Sequence, residues 1–226
     1  MTQTITYARW PGDLQGIEHV SHPDTTTSGI GHLTSHRHPN GGGWVSDTTT
    51  VSTTAFVGCN AMVTGTATVT GFATVCDNAM VTGTATVTDN ATVCDNAMVS
   101  DTATVTDNAT VTDNATVSDF AAVRGTAAVS DTATVTDNAT VTGNACVRNN
   151  AWVRGDATVT DNACVRNNAR VSDYARVSDY ARVSDYATVS GDATVSDTAT
   201  VTGFAAVRGT AAVSGTATVS ARGGAV

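Results

Sequence analysis

The sequence predicts an all-β fold, a solenoid of short parallel strands wound into triangular coils. Three observations predict it. From Val45 to Val219 every sixth residue is valine, thirty times in succession, with no insertion or deletion. Two residues before each valine stands a small residue: Gly43, then Thr49, then alanine twenty-eight times from Ala55 to Ala217. Third, aromatic residues make up only 5% of the 226 residues, charged residues 14%, and all eleven basic residues are arginine. With Leu, Ile and Phe this scarce, an ordered core has to be narrow and repetitive.

Each element of the coil follows from the hexad A-x-V-x-[D/G/N]-x. Ala and Val are two apart, so they face the same side of a short strand. The residue between them and the residue after Val face outward. Asp, Gly or Asn then opens a two-residue corner, because these residues tolerate left-handed backbone and hydrogen-bond it locally. Three hexads close a coil, so each position i stacks on position i + 18. Ten coils at about 4.8 Å each make a prism roughly 48 Å long. Every repeat valine from Val45 to Val219 is expected to be buried. Residues 43–219 form this rod, residues 1–42 an N-terminal cap or arm ending at the Pro39-Asn40-Gly41-Gly42-Gly43 turn, and residues 220–226 a tail where the frame fails.

The A-x-V-x-[D/G]-x run resembles the hexapeptide-repeat β-helix superfamily, across the whole of residues 43–219 and in unbroken phase. The resemblance implies a left-handed parallel β-helix, an exception to the usual right-handed crossover. It also implies trimeric assembly, and in many relatives acyl transfer from acyl-coenzyme A with a histidine at the subunit boundary and a loop projecting from a corner. A smaller group of relatives are zinc carbonic anhydrases with histidines on the coils. Residues 43–219 contain no histidine and no inserted loop, so no catalytic residue carries over. The expectation is no catalytic residue, no cofactor and no bound metal.

Charge excludes further classes. The net charge of −9 is concentrated in residues 43–119, which carry eight acids and no base. That is the opposite of a nucleic-acid footprint. The acids sit at corners, where Asp and Asn are expected to satisfy turn amides rather than a cation. No apolar run is long enough to cross a membrane, and MTQTITYARW has no apolar run of its own. A cytoplasmic, reducing compartment is therefore expected, with free thiols in the stacked pairs Cys76/Cys94 and Cys146/Cys164. The five histidines, His19, His22, His32, His36 and His38, all lie in the arm and are read as surface residues.

Stacking by 18 also draws columns on the outer faces. Trp44, Met62, Met80 and Met98 share one column of the first face, with Phe56 beside it on the third. A large apolar surface of this kind marks an interface, either with a second copy of the chain or with the arm. On the second face, threonine pairs stack as Thr68/Thr70, Thr86/Thr88 and Thr104/Thr106, then Thr140/Thr142 and Thr158/Thr160. That array resembles the flat threonine arrays of ice-binding β-helices, but Ala122 and Arg124 interrupt it and Arg176 ends it. Arg170, Arg176 and Arg182 fall one to each face, with Tyr174, Tyr180 and Tyr186 one to each corner; each arginine stem is expected to lie over apolar surface with its head in water. The functional expectation is a non-catalytic structural or binding rod. It either self-assembles as a homo-oligomer, the trimer being the form the resemblance implies, or displays residues to a protein or surface partner. The alternatives are an acyltransferase-like enzyme and an ice-binding protein.

Overall fold

The computed structural model describes residues 19–23 and 32–223. Three sheets of parallel strands wall a prism, and the chain passes from one sheet to the next at every hexad. β1 (His19–Pro23) and β2 (His32–Arg37) pair antiparallel and continue the first sheet past β3 (Trp44–Ser46). That sheet therefore has 12 strands, and the other two have 10 each. Register follows the period of 18 everywhere in the rod: Thr104 pairs with Thr86 on one side and with Ala122 on the other. The strands bond coil to coil, as where Thr104 N–H donates to Ala121 O at 2.9 Å and Thr106 N–H to Val123 O at 3.0 Å.

The corners show why Asp recurs. Sixteen corner residues other than glycine have φ between 56° and 63°, and all are Asp or Asn. Most corners close with a bond such as Ala109 N–H to Thr106 O at 3.2 Å. The Asp carboxylate then reaches up the rod and accepts the amide of the corner one coil on. Asp113 N–H donates to Asp95 Oδ2 at 3.2 Å, Asp131 N–H to Asp113 Oδ2 at 3.1 Å and Asn149 N–H to Asp131 Oδ2 at 3.0 Å. Asn side chains at the next position form amide ladders, such as Asn78 Nδ2 to Asn96 Oδ1 at 3.2 Å. The turn amides are thus satisfied by Asp as expected, but by the Asp of the coil below rather than of the same turn.

The interior is the predicted Ala–Val column. Val57 through Val207 are buried. The expectation that all thirty repeat valines are buried fails at Val51, Val213 and Val219, which are only partly buried. They sit in the first and last coils, where no described coil packs against one side.

Among the described residues, 37–43 cover the start of the rod. Arg37 Nη1 donates to Gly42 O and Cys59 O, both at 2.8 Å, and its guanidinium lies 4.0 Å from the centre of the Trp44 ring. Gly43 N–H donates to Val57 O at 2.8 Å, Val57 N–H to Asn40 O at 2.9 Å and Asn40 Nδ2 to Ala55 O at 3.0 Å, which closes the open edge of the third sheet. Gly41 has φ +109°, and a Cβ there would overlap the Val57 carbonyl. One of the arm histidines is not the surface residue expected. His38 is 4% exposed, with Nδ1 held by the Asn40 backbone, whereas His36 stays partly exposed with Nδ1 2.7 Å from Asp47 Oδ1. His38 is drawn in because the start of the sheet must be covered by neighbouring side chains. The side chains of His19, His22 and His32 lie outside the described residues.

The cysteines differ from expectation. Cys76–Cys94 and Cys146–Cys164 are both disulfides, with α-carbons 4.6 and 4.7 Å apart. Parallel stacking aims the two Cβ atoms the same way, but the α-carbon separation lies inside the disulfide range, so the sulfurs can meet. Cys59 is free and exposed.

Candidate functional site

The first face carries the apolar column in register. Trp44 pairs with Met62, Met62 with Met80, and Met80 with Met98. The inner neighbours Val63, Val81 and Val99 anchor each strand in the core, so every methionine is held facing out. Met62, Met80 and Met98 are 37–39% exposed, while Trp44 is half-buried under Arg37. Phe56 opens the third sheet, the face the sequence assigns it, is 38% exposed, and has its ring beside Gly41 and Gly58. No described residue of the cap lies over Met80 or Met98; β2 extends the sheet axially, away from them.

Sequence reasoning missed one member of this face. Trp152 stands in the column of Trp44, six coils on, pairs with Thr134 and Arg170, and is 43% exposed. Arg170 lies with its guanidinium 5.7 Å from the Trp152 ring centre. Counting on by 18 from Trp44 would have found it. Both tryptophans of the column therefore carry an arginine, Arg37 at the cap and Arg170 in the eighth coil. The head of Arg170 rests on a ring rather than in water alone, and cation–π attraction accounts for that. The corner aromatics also interact along the rod: Tyr186 and Phe204, one coil apart, stack with ring centres 4.9 Å apart.

The second face carries the threonine columns as the sequence predicts. Thr68, Thr86 and Thr104 pair in series up to Ala122, and Thr140 pairs with Thr158 before Arg176. Thr70, Thr142 and Thr160, like the rest of the array, are half-buried. Several hydroxyls are engaged at the corners. Thr88 donates to Asp89 Oδ2 at 3.1 Å and Thr106 to Asp107 Oδ2 at 3.3 Å.

Two carboxylates have altered acidity. The Thr136 hydroxyl, then the Asp137 amide, hold Asp119 below the ordinary carboxylate range. Thr202, then the Gly203 amide and Asn167, do the same for Asp185. Each stabilised anion accepts from a threonine hydroxyl one coil up, an arrangement that ties coils together and offers no proton at neutral pH.

Coils of three hexads stack in phase, and three parallel sheets surround an Ala–Val core. The fold is that of a hexapeptide-repeat β-solenoid. Among solved structures, the crystal structure of a Francisella novicida UDP-N-acetylglucosamine acyltransferase is similar, with 15% identity and a TM-score of 0.35; the match covers 72% of this chain and 62% of that one. This chain thus spans about three fifths of that protein's length, and at this level the likeness says nothing about chemistry. No protein-family model matches the chain, and no curated protein does. Among the described residues no helix is long and apolar enough to cross a membrane.

Proposed function

We propose that the chain is a non-catalytic rod that self-assembles through its first face. The observation that carries this reading is the in-register stripe of Met62, Met80 and Met98, each more than a third exposed on one parallel sheet. Flexible thioethers adapt to a partner surface, and the sheet beneath fixes their spacing at one coil. A homo-oligomer places the same stripe on each partner and removes it from water. The test is the triple change Met62→Thr, Met80→Thr and Met98→Thr. Sedimentation should show a smaller assembly while circular dichroism still reports the β-solenoid. An unchanged assembly refutes the reading, as does calorimetry showing micromolar binding of coenzyme A, which belongs to the acyltransferase-like alternative.

The threonine columns of the second face favour a second reading, an ordered-water or ice-binding surface. The bonds from Thr88 and Thr106 to corner carboxylates argue against it, because those hydroxyls are committed to the protein. Thermal hysteresis lost on Thr86→Val plus Thr104→Val would establish it.

A further inference from the structure

The geometry points to a redox-gated site for a thiophilic divalent cation, of the zinc type, formed by Cys76, Cys94 and Asp77. Cys76 and Cys94 each follow a core valine of the third face and open the same corner on adjacent coils. Asp77 is the left-handed corner residue beside them, at φ 56°. One ligand atom from each of the three lies within 4.8 Å of the others, and Cys76 Sγ is 3.3 Å from Asp77 Oδ2. Cys94 is 8% exposed, Cys76 is half-buried and Asp77 is open, so a cation held there keeps a face toward solvent for water. Beneath Cys76 the column position is Gly58, which brings no side chain to the site; a Cβ there would stand 3.2 Å from the Cys76 α-carbon.

The spacing suits two states. In the oxidised state the sulfurs are bonded to each other and have no thiolate to offer. A dithiol or phosphine reductant supplies two electrons; the disulfide takes two protons and becomes two thiols. A divalent cation then displaces those two protons. Two thiolates on bonds of about 2.3 Å, set tetrahedrally, lie about 3.8 Å apart. Side chains whose α-carbons are 4.6 Å apart reach that separation by small rotations, and the Asp77 carboxylate supplies a third ligand. The second pair is an internal control. Cys146 and Cys164 stack equally closely, but Arg148 and Arg166 stand two positions along on the same outward side. Among the described residues no carboxylate joins that pair within reach.

The experiment uses the full chain with Cys59→Ser, Cys146→Ser and Cys164→Ser, reduced with a phosphine under inert gas and titrated with cobalt(II). One equivalent should bind and give the thiolate-to-cobalt charge-transfer band with tetrahedral ligand-field bands. The oxidised chain should give neither. Cys94→Ser should abolish the band, and Asp77→Asn should weaken binding by roughly tenfold or more. In the unmutated reduced chain, zinc should shield Cys76 and Cys94 from alkylation while Cys146 and Cys164 react, a readout that does not depend on any variant folding. Absence of the band in the reduced chain, equal binding by the oxidised chain, equal shielding of both pairs, or a Cys76–Cys94 bond that resists reduction in the native protein overturns the proposal.

Discussion

The two ends of the rod obey one repeat and end up differently. At the N-terminal end, Ala55 and Val57 are fully buried because Asn40, Gly41 and Gly43 cover the third face, although no described coil lies beyond them. At the C-terminal end, Ala205 and Val207 are the last buried pair; Ala211, Ala212 and Ala217 are exposed, and Val213 and Val219 half-exposed. The same Ala-x-Val unit is core in one place and surface in the other. Burial in a solenoid is therefore a property of the neighbouring layer and not of the hexad, as expected when each repeat contacts only its neighbours.

The largest effect that sharpens this contrast is expected at the cap. Gly41→Ala forces a Cβ into the Val57 carbonyl at a backbone angle that side chains avoid, and it should cost about 2–4 kcal/mol by denaturant melting. Gly215→Ala, at φ +66° but with nothing within 4 Å, should cost only the backbone strain, about 1–2 kcal/mol. Equal costs would mean that the cap is not a tight joint. Next, Ala109→Leu in the middle of the rod should cost about 1–3 kcal/mol through overpacking, and Ala217→Leu nearly nothing. A neutral Ala109→Leu would remove the narrow core from the account. A smaller effect is expected on acidification. Asp119 and Asp185 have folded-state acidities below the ordinary value, so the stability they add is complete above the unfolded carboxylate value. It is lost as pH falls through their lower folded values. Melting temperature should drop below about pH 4, and Thr136→Val plus Thr202→Val should flatten that drop. The smallest effect is local: amide hydrogen exchange should be fast at Ala211–Val219 and slow at Val105–Val111, with no change in the overall melt.

Nearly all of the rod was legible because its geometry is arithmetic. A period of six fixes which residues face in, and a period of 18 fixes which residues touch. The left-handed Asp corners followed from the residue type alone. A cap or arm before the Pro39–Gly43 turn was legible, but its contacts were not, since residues 32–43 have no period and are held by unique contacts such as Arg37 on Trp44 and His38 beside Asn40. The disulfides were missed for a different reason. Stacking predicts the α-carbon separation, but whether two sulfurs meet depends on rotamers that sequence does not specify. Trp152 was legible and overlooked, because two threonine coils separate it from the methionines.

The bonds between coils run along the length of the rod, so a pull on the two ends loads them one coil at a time. Each coil that lets go would release three hexads, about 60 Å of extended chain, in exchange for one coil height. The expected force trace is a regular series of small, equal steps, as in a zipper. It should be broken at the two places where Cys76–Cys94 and Cys146–Cys164 tie adjacent coils together and withhold their slack. Reduction of those bonds would restore the missing length, which makes the rod a spring whose extensibility depends on its thiols.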